Sequence, residues 1–379
     1  MKLFKSLLVA PAALGLLAPI SASASEVNLN DISNYSDVES IDFANSFDNE
    51  AKEETLIAGG EGLVESYDGG FSETTTASFG LDMYLGALDD DDSTDDDSVM
   101  AGYSLGISLN TSFTGEDSLD IAIDAGVSGA GIAELDGNTN GDTLKVDGVS
   151  YTFPLGDKTT VIAGIDTDGS ALFTTACAYG GPSNLLDDCA NVNAGITGGG
   201  ATVGAAYDFG TGLTAAFGAQ TTESAVFTDE SLDAYALNTA YTGDNYGVSI
   251  TYGVVETSST EEDTYTAFNA YYLPEGTGLP SLSVGYEIGD IGGAAATVDE
   301  KTSFFVGASW DEVGPGSAGV ALGHSSTVEG SDEEYQYEAY YSYPINDGMT
   351  ITPLIYSKDN ATSNKDDSTG VMVKTSFSF

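Results

Sequence analysis

The residues with most chemical potential in this chain are its carboxylates. Asp and Glu number 60 against nine basic residues, and all nine of those are lysines. The densest run, LDDDDSTDDD at 88–97, holds Asp89, Asp90, Asp91, Asp92, Asp95, Asp96 and Asp97. Carboxylates this close either recruit cations or repel one another. Bridging by calcium or magnesium is one reading, since hard cations take carboxylate oxygens. The other is a solvated acidic loop. The spacing matches no EF-hand, because the central glycine and closing glutamate are missing. Apart from that divalent-cation option, the sequence implies no cofactor. The two cysteines, Cys177 and Cys189, fall twelve residues apart in a chain that carries an export signal, and one disulfide is expected. The single histidine, His324, precedes Ser325 and Ser326 but shares parity with Val320 and Leu322. It therefore points away from any shared site, and no catalytic constellation, nucleotide-binding glycine loop or zinc spacing is present. An enzyme is not expected.

The charge balance excludes partners as well. Lys2 and Lys5 flank an apolar core, Leu7 to Leu17, ahead of Ala22-Ser23-Ala24, so residues 1–24 read as a cleaved signal peptide. The mature chain then sets seven lysines against 60 acids, a net charge of −53. Such a field repels nucleic acid and anionic solutes and draws in cations. With 21 Tyr, 16 Phe and 47 Gly, the composition suits strands and turns rather than disorder. No later stretch approaches the roughly 20 apolar residues of a membrane helix.

The elements that must position these carboxylates are strands. Residues 25–70 form a distinct leader with a weak amphipathic stripe over 37–57. From Phe71, alternating runs of roughly ten residues recur about sixteen times, the length a tilted strand needs to cross a bilayer. Leu282, Val284, Tyr286 and Ile288 alternate with Ser281, Ser283, Gly285 and Glu287. The run 143–154 switches parity near Gly148, which predicts a bulge. Short connections alternate with long ones, at 87–101, 129–142, 167–200, 223–232, 257–264, 291–301, 327–334 and 359–368. Tight turns at one rim and long loops at the other are the signature of a membrane barrel. Aromatic residues near strand ends, among them Tyr207, Phe209 and Trp310, suit interfacial girdles. The closing TGVMVKTSFSF alternates Val371, Val373, Thr375, Phe377 and Phe379 against Met372, Lys374, Ser376 and Ser378. The expected fold is all-β: a transmembrane antiparallel up-and-down β-barrel over 71–379.

The strand number, the loop alternation, the closing TSFSF and the longest loop in third outer position together resemble the sixteen-stranded general porins of Gram-negative outer membranes. The leader also looks like that of marine cyanobacterial porins. The resemblance implies a homotrimer in outer-membrane lipid and lipopolysaccharide, with Phe379 read by the barrel-assembly machinery. It also implies that the third outer loop folds into the lumen as a constriction. Carried onto this sequence, the constriction carboxylates are Asp166, Asp168, Asp187 and Asp188. Residues of lumenal parity are Asp82, Asp120, Asp124, Asp208, Glu287 and Glu338, with Lys374 as the main basic exception. The arginines that such porins set opposite the acidic loop match no position here. The expected function is a cation-preferring channel for small hydrophilic solutes. The alternatives are a carbohydrate- or metal-cation-biased channel, for which Tyr84, Phe305 and Tyr340 are the candidate lumenal aromatics, and an acidic calcium-binding adhesin.

Overall fold

The computed structural model describes residues 75–89, 99–127, 141–184, 186–221, 226, 232–258, 261–276, 278–292, 299–360 and 367–378. The segment 1–24 expected to be a signal peptide, the 25–70 leader with its expected 37–57 stripe, Asp90 to Asp97 and Phe379 lie outside these. The described chain is sixteen strands and no helix. They are β1 (Thr75–Asp89), β2 (Met100–Thr111), β3 (Ser118–Val127), β4 (Lys145–Pro154), β5 (Thr159–Ile165), β6 (Ala201–Asp208), β7 (Leu213–Thr221) and β8 (Asp233–Thr242). There follow β9 (Tyr246–Ser258), β10 (Glu261–Tyr272), β11 (Ser281–Asp290), β12 (Glu300–Val313), β13 (Gly316–Val328), β14 (Gln336–Asn346), β15 (Met349–Lys358) and β16 (Ser368–Ser378).

Each strand pairs antiparallel with its sequence neighbours, and β1 pairs with β16 from Gly80 opposite Ser378 to Asp89 opposite Thr369, so the sheet closes. Closure removes the free edges that an open sheet exposes. The sixteen elements, their order and the return of the last strand onto the first are those the alternation predicts. So is the bulge in β4. Ala122 faces Gly148 and Ile123 faces Val146, which leaves Asp147 unpaired and switches the parity. One connection departs from expectation. The long loop expected over 257–264 is a link of two residues, 259–260, because β9 and β10 run on to Ser258 and Glu261. The strand-favouring Val254, Val255 and Thr257 carry the ladder through acids that the alternation alone assigns to a loop.

Side chains alternate between two environments as a strand requires. In β9, Tyr246, Val248, Ile250 and Tyr252 are exposed on the outside, while Gly247, Ser249, Thr251 and Gly253 are buried on the inside. In β11, Leu282, Val284, Tyr286 and Ile288 face out and Ser283 and Glu287 face in. A closed barrel with large apolar side chains outside and small or polar ones inside is the reverse of a water-soluble protein, and is how a barrel meets lipid. Aromatic pairs gather beside the short turns, as at Tyr207–Phe209 (4.8 Å), Phe113–Tyr151 (6.3 Å) and Tyr241–Tyr246 (5.7 Å).

The β2–β3 turn is fastened by one carboxylate. Asp117 Oδ1 accepts from Ser112 Oγ (2.8 Å), Phe113 N (3.0 Å), Thr114 N (2.7 Å) and Thr114 Oγ1 (2.7 Å), and Oδ2 from Tyr151 Oη (2.6 Å). The hydrogen bond from Tyr151, with those from Thr114 and Ser112, holds its carboxyl far below the usual carboxylate range despite partial desolvation. A depressed folded-state value stabilises the fold above the ordinary carboxylate pKa, and that contribution is lost as pH falls through the depressed value. Asp117→Ala is expected to lower the unfolding temperature of the detergent-solubilised barrel by a few degrees at pH 7, with the gap narrowing in strong acid. Thermal melts of both proteins against pH check this.

Candidate functional site

Every acid assigned from sequence to the inner wall lies on the inward parity. The register sets Asp82 beside β16, Asp120 and Asp124 inside β3, Asp208 at the end of β6, Glu287 inside β11 and Glu338 inside β14. They do not share one environment. Asp208 is exposed, and its Oδ1 accepts from the Gly210 N–H (2.7 Å) in the following turn. Asp120 accepts from Asn110 Nδ2 and Ser118 Oγ, each at 2.6 Å. Asp124 is buried and faces Lys145 across the β3–β4 ladder. Lys374 lies 3.2 Å from Asp82.

Glu287 and Glu338 are only 1% and 4% exposed, so they line no open water. The segment 166–200, between β5 and β6, covers both and spends its own donors on them. Glu287 accepts from Asn193 N (2.9 Å), Asn193 Nδ2 (2.7 Å) and Ala194 N (2.8 Å). Glu338 accepts from Tyr179 Oη (2.7 Å) and from Ser183 Oγ. Glu338 takes its donors from within the loop closed by the Cys177–Cys189 disulfide, and Glu287 takes its own from just beyond it; the two Cα atoms of the bridge are 6.4 Å apart. On the chain-entropy account this twelve-residue closure is worth about 3 kcal/mol. Burial, with the charge of Glu338 beside it, pushes the Tyr179 phenol far above its usual range, so it stays a donor.

Neutral side chains of the inward parity complete the seat. Gly169 N donates to Gln220 Oε1 (2.8 Å). Thr174 exchanges two hydrogen bonds with the Asn238 amide (3.1 and 3.2 Å), and Ala176 N donates to Ser249 Oγ (2.9 Å). Ala178 N donates to Ser283 Oγ (2.8 Å), Asn269 Nδ2 to the Cys189 carbonyl (2.7 Å), and Tyr340 Oη to the Gly180 carbonyl (2.9 Å). Gly218 and Gly285 are the places where the segment comes closest. A Cβ at either would collide with a backbone carbonyl, that of Gly169 or of Cys189. An apolar cluster of Tyr179, Leu186, Phe305, Leu354, Tyr84 and Met372 carries the contact round to β15, β16 and β1.

The segment's own acids stay outside this seat. Asp166, Asp168, Asp187 and Asp188 are exposed, whereas Ser183, Leu186, Cys189 and Ala190 beside them are buried. Asp166 borders a cavity of about 580 Å³ that Gln220, Asp233 and Glu256 also line. Partial burial pushes the Asp168 carboxyl up against a hydrogen bond from the Gly199 backbone, and Asp147 adds repulsion. Facing the open interior on β2 are Gly106, Ser108 and Asn110, all exposed. The wall is thus divided: β7 to β14 are roofed by the segment, and the small polar side of β2 stays in contact with solvent.

Alternation finds inward residues but cannot say which the chain later covers. The signal for the seat was the run of amides, hydroxyls and glycines on the inward parity of β7 to β11, which a water-lined wall would not need so uniformly. Sequence reasoning also named one inward lysine where the register gives more. Lys145, Lys301 and Lys358 share that parity, at the long-loop ends of their strands. His324 faces Phe304 in the register, with Nδ1 3.0 Å from Thr327 Oγ1 and its ring 5.6 Å from that of Tyr335. Among the described residues no three His, Cys, Asp or Glu side chains converge as a metal-ligand set. Of the acidic run only Asp89, the last residue of β1, is described.

No protein-family profile matches the chain, and no curated protein matches it by sequence. Solved structures do. A variant of the Rhodobacter blastica porin superposes with TM-score 0.55 at 11% identity, over 80% of this chain and 100% of that one. Pseudomonas putida OprB superposes with TM-score 0.58 at 12% identity, over 81% of this chain and 94% of the other. The chain therefore has the closed sixteen-strand barrel fold of these porins.

The carboxylate anchors make a measurable prediction. Each hydrogen bond to a buried charged group is worth about 1.5–3 kcal/mol. Glu338→Ala is expected to release the disulfide turn often enough for dithiothreitol to reduce Cys177–Cys189 at least about tenfold faster in the folded barrel. Thiol alkylation followed by mass spectrometry reads the rate.

Proposed function

We propose that this protein is an outer-membrane channel of porin type, through which small hydrophilic solutes and ions diffuse passively with a preference for cations. The observation that carries the reading is the divided wall inside a closed barrel of apolar exterior. One side is roofed by the 166–200 segment and the other keeps small polar residues in contact with water. In this reading the segment narrows the lumen. Its exposed carboxylates Asp187 and Asp188, with Asp166 and Asp168 at its root, supply the field that a permeating ion meets at the narrowest part. The same reading includes export by the 1–24 signal, seating in lipid beside lipopolysaccharide, recognition of Phe379 by the assembly machinery, and a homotrimer. The marine cyanobacterial affinity rests on the leader.

A carbohydrate-biased channel is the less favoured reading, because sliding sugars need exposed lumenal aromatic faces. Tyr84 and Phe305 are 3% and 0% exposed, and Tyr340 is committed to the Gly180 carbonyl. A calcium-binding adhesin would give no discrete conductance steps.

Planar bilayers under a KCl gradient test the proposal. The wild type is expected to show single-channel steps and a reversal potential of cation-selective sign. Asp187→Asn with Asp188→Asn should lower the cation-to-anion permeability ratio by about twofold or more, as removal of fixed charge from a confined lumen requires. An anion-selective wild type contradicts the cation preference, and absence of steps contradicts the channel.

A further inference from the structure

Five lysines lie among the described residues, and Lys374 differs from the rest in where it stands. Lys145, Lys301 and Lys358 sit at strand ends by the long-loop rim, and Lys158 lies in the β4–β5 turn with Nζ 3.4 Å from the Phe209 carbonyl. Lys374 falls in the middle of β16 on the inward parity. A free ammonium there would repel permeating cations and concentrate anions halfway along the lumen. The geometry does not leave it free. Tyr84 is directly opposite in the β1–β16 ladder, and Nζ stands 6.0 Å from the centre of its ring. Asp82, two residues along β1, brings Oδ2 to 3.2 Å from Nζ. The two charged side chains are 22% and 29% exposed, and Tyr84 is 3% exposed. Tyr84 also belongs to the apolar cluster with Met372 and Leu354 that the 166–200 segment completes. The tyrosine is thus fixed by packing, and Lys374 lies against that fixed ring with its head turned to Asp82.

We propose that Asp82 is a specificity-determining residue whose task is to mask Lys374. The mid-lumen then presents a neutral pair where it would otherwise hold an unpaired cation. Exclusion of chloride and inorganic phosphate depends on this local pairing, and not only on the surplus of acids elsewhere. This rests on the channel reading given above. It adds that two lumenal acids of equal formal charge contribute unequally: Asp82 cancels a specific cation, whereas Asp120, held by Asn110 and Ser118, adds only to the general field.

The test compares wild type, Asp82→Asn, Asp120→Asn, Lys374→Met and the double variant Asp82→Asn/Lys374→Met, all as full-length protein. Reversal potentials in a KCl gradient should show the cation-to-anion permeability ratio falling on the order of threefold for Asp82→Asn, as expected for a shift of about half a kT per unit charge in the lumenal potential, which acts on the two ion signs in opposite directions. Asp120→Asn should move it clearly less. Lys374→Met should raise the ratio, and the double variant should return near wild type. Acetylation by sulfo-N-hydroxysuccinimide acetate, followed by mass spectrometry, should modify Lys374 several-fold faster in Asp82→Asn than in wild type. Equal shifts for Asp82→Asn and Asp120→Asn would make net charge the cause and overturn the masking. So would equal acetylation rates with and without Asp82. Should Asp82→Asn not assemble, an unchanged ratio in Lys374→Met overturns it instead. A wild type without conductance steps defeats the channel reading itself, and the acetylation comparison still decides whether the pair forms.

Discussion

Ten residue pairs join β1 to β16, and the whole arrangement depends on that seam. A ribbon of sixteen antiparallel strands without it has two edges of unsatisfied peptide groups, tolerable in water but not in hydrocarbon, where each costs several kcal/mol. Closure also fixes what inside and outside mean. Once Gly80 meets Ser378, the parity of every strand is set by the ladder, and a slip of one residue would turn the apolar face of a strand inward. The last strand is therefore the piece that makes the preceding fifteen consistent. Its inward residues, Met372 and Lys374, are also components of the interior that it closes.

A closed barrel of this size has an interior too wide for its own side chains to fill, so what occupies it is decided by a segment that is not a strand. Here that segment lacks regular structure, and its backbone groups need partners wherever they leave water. The wall provides them. Gln220, Asn238, Ser249, Ser283 and Asn269 meet, in that order, backbone groups from Gly169 to Cys189, while Glu338 takes donors from within the disulfide turn and Glu287 from just after it. The disulfide limits the conformations available to the turn, and the wall selects one of them. This explains why polar residues persist on the inward face of β7 to β11 even though much of that face is buried.

The fold was legible in the sequence because it is governed by a local period. Alternation reports the strand, connection length reports the rim, and the parity switch at Gly148 reports the bulge, all from neighbours in sequence. The exception, the link at 259–260, arises where Glu261, Glu262 and Asp263 resemble a loop in composition but the ladder continues through them. The site was legible in membership and not in role. Parity located Asp82, Glu287 and Glu338 on the inner wall but carries no information about which of them a segment over ninety residues distant in sequence will cover. Nor could it pair Asp82 with Lys374, since that contact exists only across the closing seam.

The acidity of the chain thus resolves into different physical jobs. Asp117 is a staple, its charge consumed by donors from one turn and from Tyr151. Glu287 and Glu338 are acceptors for a covering segment, and the donors around them compensate their charge. Asp82 is balanced by Lys374. Only carboxylates that are exposed, as Asp187, Asp188 and Asp208 are, act on mobile ions at a distance. A count of acids overstates the lumenal field, because burial and pairing remove several of its strongest candidates. What the count does set is the background against which a single uncompensated cation would matter. In a wall with many acids and one mid-strand lysine, neutralising that lysine locally takes one aspartate two residues along the neighbouring strand.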